Sequence, residues 1–517
     1  MNRSIAAAIS LVFPLASAAE ATTPHSIAPS FVVPTSEGDW SYSPASSEAA
    51  ESTLFLVYAP GRMRSGGAAD FSKELFTNSA SSVGALVSAS PKNTHYVFMW
   101  LADQAGFNSF ASRARAEIAS LPAADRDHWS SHVHFVTTQA DKVAGWAGDV
   151  VRTRMATPMP YKRFDPFQWG VDSKGRVREV GMLGRLGNGG VDADLTFLAS
   201  ESAYYEFERV REARLAAENV AVVPLLNSVV IADEAIVEAS LPDAAAMSKF
   251  DSLEVDLAIN CENRRDGECG AWDYLANLYL CDDAQGEARR CNVEVARWIT
   301  PYWREGRWVT DISGLLPLFK EGGHRTLRWY ALKQWSPRAA NYVLSMSLRF
   351  SAKNKPIRPV SVIPLFSGGE LNSGYNAAHP AMQIDVPADA RKVELVALVT
   401  GHGSDEEQCA EFCDHRHHFA VNGAKHVVMF PDVQALDGCR DRVSEGVVPN
   451  QHGTWYFGRG GWCPGLDVKP TVFDVTADVK RGVANEVAYR ATIGESEMAA
   501  AKRYGNAVMT SYLVVWK

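Results

Sequence analysis

The sequence predicts a multidomain protein in which an N-terminal α/β unit, with a thioredoxin-like sheet as one arrangement, precedes two all-β jelly-roll sandwiches. Three observations carry that expectation. Near Val220 the apolar residues change their spacing, from short buried runs separated by helix-like segments to alternation with polar partners. All eight cysteines of the 517-residue chain lie beyond residue 260. A polar stretch over 351–359 then divides the alternating half into two pieces of roughly 140 to 160 residues, the size of a sandwich or jelly roll.

Taken in order, the chain begins with Arg3, an apolar run over 5–15 and the small residues Ala16-Ser17-Ala18. This is the layout of a secretory signal peptide over 1–19, and it predicts a secreted or periplasmic protein. No later run is long and apolar enough to span a bilayer, so no membrane partner is expected. Residues 20–50 are rich in Ser, Pro and Ala and read as a linker, the lead-in to an α/β domain that extends to 218. Within it, 54–58, 96–101 and 132–137 read as buried strands, 110–119 and 142–152 as helices, 172–175 as a hairpin turn and about 194–218 as a long helix. The front segment has no cysteine, which excludes thiol redox chemistry there.

The sandwiches are assigned to 219–355 and 356–517. Leu253, Val255, Leu257 and Ile259 alternate with polar residues, as do Leu344, Met346, Leu348 and Phe350, the pattern of half-buried antiparallel strands. Asn422-Gly423 supplies a hairpin turn. A short echo, Thr310-Asp311-Ile312-Ser313 against Phe473-Asp474-Val475-Thr476, hints that the two sandwiches are related.

Bulk properties narrow the function. A formal charge of −9 argues against a nucleic-acid partner, which would need a basic patch. Fourteen tryptophans suit both core packing and carbohydrate contact. In an exported protein the cysteines read as disulfides; eight allow 105 connectivities, and spacing favours Cys261 with Cys269, Cys281 with Cys291, Cys409 with Cys413, and Cys439 with Cys463. Two of these loops would hold an acid beside an aromatic: Asp273 after Trp272, and Glu411 before Phe412. Rigid, partly desolvated carboxylates are suited to general acid-base work. Most acidic residues are simply solvated, so composition and spacing alone do not make these two catalytic.

Further motifs do. CxxWDxxANxY from Cys269, followed by ITPYW, then CAExC at Cys409 and RxGWCPG at Arg459, resemble in order and separation the peptide-N-glycosidase F family over about residues 221–517. The resemblance implies two eight-stranded jelly rolls with a metal-free, cofactor-free site in the cleft between them. The implied activity is amidohydrolysis of the bond between an asparagine side-chain nitrogen and the first N-acetylglucosamine of an N-linked glycan, with N-glycosylated proteins or peptides as partners and a monomeric enzyme. Carried over residue by residue, the catalytic pair is Asp273 and Glu411, and Trp272, Trp335, Arg459 and Trp462 shape the sugar and peptide site. Two positions depart from the family: Tyr274 stands where it has arginine, and Lys333 where it has a third acid. Two competing readings follow, a glycan- or peptide-binding protein without turnover, and a type 2 copper monooxygenase-like enzyme built on His415 and His417, which share a strand face.

Overall fold

The computed structural model describes residues 22–44, 51–61, 70–77, 82–156, 167–187, 190–262, 264–265, 267–284, 286–332, 341–403 and 409–517. The signal-peptide assignment, Trp335 and Lys333 lie outside the described residues. Two compact units are present, one formed by Met1–Met63, Lys92–Met159 and Pro166–Glu179, the other by Arg64–Pro91, Pro160–Asp165 and Val180–Lys517. The second unit includes the first two helices, α1 (Phe71–Thr77) and α2 (Val83–Ser88).

In the first unit a hairpin of β1 (Phe31–Thr35) and β2 (Gly38–Tyr42) replaces the expected linker, because Phe31 and Val33 alternate into a core that buries both. The sheet beside it has the order β5-β4-β3-β6-β7. Its strands β3 (Ser52–Tyr58), β4 (Thr94–Trp100) and β5 (Val133–Phe135) run parallel, while β6 (Gln168–Val171) and β7 (Val177–Glu179) are antiparallel. The hairpin at 172–175 forms because the Asp172 carboxylate accepts the backbone N–H groups of Lys174 and Arg176, each at 3.0 Å, and Gly175 takes the positive φ the turn needs. Helix α3 (Gln104–Ala119) starts six residues before the expected position, since Asp103 caps the amide of Gly106 at 3.0 Å. Helix α4 (Ala123–Ser130) was not anticipated, and α5 (Trp146–Ala156) begins after Gly145 rather than at 142.

The second unit continues through the short hairpin β8 (Gly184–Gly187) and β9 (Gly190–Ala193) into α6 (Phe197–Ala217), which matches the long helix expected over 194–218. Eight strands follow: β10 (Ala221–Ile231), β11 (Glu234–Asp243), β12 (Ser252–Asn260), β13 (Leu275–Leu280), β14 (Val293–Ile299), β15 (Gly306–Asp311), β16 (Gly322–Ala331) and β17 (Tyr342–Ser351). They form two sheets, β10-β17-β12-β15 and β11-β16-β13-β14. A further set is β18 (Pro359–Glu370), β19 (Met382–Asp385), β20 (Lys392–His402), β21 (His415–Val421), β22 (Ala424–Val428), β23 (Leu466–Asp467), β24 (Thr471–Asp474), β25 (Ala484–Ile493) and β26 (Asn506–Trp516). Leaving β23 aside, its sheets are β18-β26-β20-β24 and β19-β25-β21-β22, which is the same jelly-roll order strand for strand.

The four-residue echo has a structural basis. Asp311 accepts the Ser313 amide at 2.8 Å, and Asp474 accepts the Thr476 amide at 3.0 Å. The hydroxyls of Ser313 and Thr476 in turn accept the amides of Leu253 and Val393. Each motif ends the strand at one edge of its sheet by the same set of bonds. The alternation in β12 is observed too, but its polar residues Glu254 and Asp256 are also buried, because Arg214 of α6 reaches Glu254 and Arg307 pairs with Asp256.

The two sandwiches meet along a polar and apolar seam. Arg297 of β14, with no exposed side-chain surface, pairs with Glu294 and donates to Thr400 Oγ1 at 2.9 Å and the Val508 carbonyl at 2.7 Å. Thr510 and Asn277 donate to the same glutamate. Burial pushes Glu294 up, but Arg297 and these donors hold it below the ordinary carboxylate value. Beside them Ile299 packs with Leu398, Trp462 and Val468. Strand β23, from the second set, then adds to the outer edge of β14. Replacing Arg297 by Met strands a buried carboxylate, so it should cost about 3 to 5 kcal/mol of unfolding free energy. The double change Arg297→Met with Glu294→Leu should recover most of that in denaturant titrations, whereas an additive loss would show the pair is not the main term.

Candidate active site

All four disulfides join the cysteines that spacing paired: Cys261–Cys269, Cys281–Cys291, Cys409–Cys413 and Cys439–Cys463. The first closes the turn that leads to Asp273. Beyond it, Trp303 N–H donates to Gly270 O at 2.8 Å, and Trp303 itself adopts a positive φ, locking the PYW segment against the turn. Thr300 completes the mount, donating its hydroxyl to Trp272 O at 2.7 Å, its amide to Tyr274 O, and accepting the Tyr274 amide at 2.9 Å. Asp273 is thus held on both sides by backbone bonds. Glu411 is presented by the short Cys409–Cys413 loop, whose Ala410 and Glu411 amides both donate to Gly403 O.

Arg459 lies between the two acids. Its Nη2 is 3.5 Å from Asp273 Oδ2, and its Nε is 3.3 Å from Glu411 Oε1. The guanidinium has five N–H groups. Two on Nη1 reach the carbonyls of Thr454 and Phe457, one on Nη2 reaches Thr454 Oγ1, and the remaining two face the acids. Phe412 and Trp462 cover its faces, with ring centroids 5.1 and 4.9 Å from the guanidinium carbon. The side chain has no exposed surface. Arg459 therefore acts on the two carboxylates, and its donors are taken up by the protein.

The carboxylates differ. Asp273 is 13% exposed and Glu411 20%. Burial raises the Asp273 pKa above its ordinary 3.8, against the opposing effects of Arg459 and a hydrogen bond from Tyr302. Its Oδ2 is buried and accepts no hydrogen bond. The Tyr302 hydroxyl is pushed far up by burial and by Asp273, so it stays a donor. Gln451, fully buried, fixes this tyrosine by accepting its amide at 2.7 Å.

The tryptophans separate into two kinds. Trp272 is 39% exposed next to Asp273. Trp462, expected to line the sugar site, is 3% exposed, because its indole N–H donates to Gly401 O at 2.7 Å and its rings pack on Arg459 and in the seam between the sandwiches. Tyr274, at the position where the family has arginine, is buried at 8% exposure.

His415 and His417 share a face of β21 as expected, but that face is the core. His415 Nδ1 lies 2.8 Å from His417 Nε2, and His417 Nδ1 lies 2.7 Å from the Tyr489 hydroxyl, which meets that of Tyr375. The two imidazoles bond to each other in a buried hydrogen-bond chain that runs on to Tyr489 and Tyr375.

Similarity to known proteins falls on the same part of the chain. Residues 370–514 match the family model described as peptide-N-glycosidase F, C terminal. The peptide-N(4)-(N-acetyl-beta-D-glucosaminyl)asparagine amidase F of Elizabethkingia miricola is 26% identical over 250 residues, covering 45% of this chain and 65% of that protein, so the chain spans a little under two thirds of this curated relative. Among solved structures, PNGase F, a glycosylasparaginase from Flavobacterium meningosepticum, aligns with a TM-score of 0.46 at 19% identity, covering 58% of this chain and 96% of the other. PNGF-II aligns with a TM-score of 0.44 at 11% identity, covering 59% and 67%.

The raised pKa of Asp273 has a consequence for stability. A carboxyl whose folded pKa lies above its unfolded value stabilises the fold while protonated and loses that contribution as pH rises through the folded pKa. Ionising Asp273 in the folded state therefore costs stability. Asp273→Asn should unfold at a temperature no lower than the parent at pH 7, with the difference narrowing on acidification. Calorimetric melting that found the variant clearly less stable at pH 7 would contradict the assignment of burial as the dominant effect.

Proposed function

We propose that over its back half the chain is a member of the peptide-N-glycosidase F family and that it is a peptide-N4-(N-acetyl-beta-glucosaminyl)asparagine amidase acting on N-glycosylated proteins or peptides, a reading supported by the matches to that family. The observation that carries this reading is the arrangement of Asp273 and Glu411 on either side of the buried guanidinium of Arg459.

The chemistry follows from the two environments. Asp273, with one buried oxygen accepting no hydrogen bond and a pKa drawn up by burial, is the general base. It takes a proton from a water whose oxygen forms the new bond to the asparagine amide carbon. The tetrahedral species collapses as the carbon–nitrogen bond breaks and the nitrogen receives a proton. The glycan leaves whole as a glycosylamine, which later exchanges its amine for water and releases ammonia, and the peptide leaves carrying aspartate. Glu411, more exposed, orients the leaving amide or sugar, and Arg459 is a positioning residue that keeps both acids in place. Trp272 offers an aromatic face for the first sugar. Trp462 supports Arg459 from behind, and Trp335 keeps its proposed substrate role.

The finer assignments are part of the same proposal. They include the division into 1–19, 20–218, 219–355 and 356–517, a monomeric enzyme, and a secreted or periplasmic location, the last of which is supported by four disulfides, since these persist in oxidising compartments. A thioredoxin-like arrangement for the front domain is supported by the strand order β4-β3-β6-β7, with two parallel and two antiparallel members.

Incubation of a denatured N-glycoprotein in water enriched in heavy oxygen should place the label in a new aspartate carboxylate. Asp273→Asn should lower the rate at least about 100-fold. Glycan bound but asparagine unconverted would mark a binding protein; an N-acetylglucosamine left on asparagine would mark a glycosidase attacking a sugar carbon. The pH profile gives a second check. Since the base must be ionised, kcat/KM should fall on acidification through a pKa above the usual carboxylate range. Arg459→Gln removes a cation that lowers that pKa, so the acid limb should move to higher pH. A limb that stayed in place or moved down would separate Arg459 from Asp273.

A further inference from the structure

The front unit contains a cluster that the amidase reading leaves unused. Strands β3, β4 and β5 are parallel and in register: Thr53 lies opposite His95, and Val97 opposite His134. Because side chains alternate along a strand, Glu51, His95, His132 and His134 all project from one face at the start of these three strands. His95 Nε2 lies 3.2 Å from Glu51 Oε2, and His132 Nε2 lies 4.0 Å from Glu51 Oε1. One ligand atom from each of Glu51, His95 and His132 falls within 4.8 Å of the others. For a tetrahedral ion with bonds of about 2.0 to 2.1 Å, donors stand about 3.3 Å apart, so a modest closure of this group encloses one ion.

We propose that Glu51, His95 and His132 form a binding site for one divalent transition-metal ion of the zinc type, with its fourth position open to the adjoining pocket. The surroundings set which nitrogens are free, while the His95 and His132 rings stack nearly parallel with centroids 4.3 Å apart, so one ring turns as the ion enters. The carbonyl of His128 can only accept, so at 2.8 Å it takes the Nδ1–H of His132 and leaves Nε2 as the lone-pair nitrogen. His134 Nε2 meets His95 Nδ1 at 3.0 Å, which turns the opposite nitrogen of His95 toward Glu51. Trp40 of β2 stacks on His134 at 4.5 Å and holds that second ring. A cavity of about 410 Å³ opens beside the three donors, with Trp40, Tyr42 and Lys174 in its wall. Two imidazoles and a carboxylate are a zinc donor set, and three protein ligands leave a position for water or an exogenous anion.

Full-length protein stripped with EDTA and dialysed should bind one equivalent of zinc chloride by titration calorimetry. Glu51→Gln and His132→Gln should each weaken binding at least about 10-fold. His418→Gln, on the separate histidine strand, should leave it unchanged, and melting curves without zinc should match across the set. Glu51, with 43% of its side chain exposed, keeps the test decisive if His132→Gln does not fold. Absence of stoichiometric binding, or undiminished binding in Glu51→Gln, would overturn the site. Glycan release is not the readout, so this result stands or falls separately from the amidase activity.

Discussion

The buried Arg297–Glu294 pair at the seam is the constraint on which the back half depends. An unpaired charge there would be prohibitively costly, so the two sandwiches are held where the pair's remaining bonds, from Arg297 Nη1 to Thr400 and Val508 and from Thr510 to Glu294, can cross between them. Thr400, Val508 and Thr510 come from the second sandwich, whereas Asn277 comes from the first. Apolar packing alone would tolerate sliding by a fraction of a residue. A charged, directional contact does not, and the neighbouring positions inherit that precision.

The acidic site sits on this frame and repeats its logic. Asp273 reaches it from the first sandwich on a turn held by a disulfide and Thr300; Glu411 and Arg459 come from the second. Two carbonyls and a hydroxyl hold three of the five guanidinium N–H groups, so its position is set before any ligand arrives. That arrangement keeps reorganisation small when charge moves, which is the physical meaning of preorganisation. Burial and the nearby cation act in opposite directions on the Asp273 proton, burial being the stronger.

Much of this was legible in the sequence where the deciding interactions are local. Short cysteine spacings identify their partners because loop closure favours near neighbours, and the Asn422-Gly423 turn follows from residues that accept positive φ. Asp273 and Glu411 were visible through motifs. Long-range consequences were not. Trp462 reads as a surface aromatic until the seam closes over it, and Arg459 reads as a substrate clamp until its carbonyl acceptors are in place. The histidine-rich strand at 415–418 attracts attention because its members are adjacent, yet they face a core. Glu51, His95 and His132 escaped notice because three separated positions meet only once the parallel register is known. The period-two pair His132 and His134 was the available signal.

Strand β23 bears on how the protein is made. Leu466 and Asp467 pair with Ile299 and Trp298, so the outer edge of β14 is finished by residues that leave the ribosome only after most of the second sandwich has been synthesised. Until then the nascent first sandwich presents an open edge with unsatisfied amides and carbonyls, the kind of edge that recruits strands from other chains. The first sandwich thus reaches its native sheet only when the second has emerged, and a chain truncated before residue 466 would carry that edge permanently. Secretion as a completed, unfolded polypeptide would avoid the interval altogether.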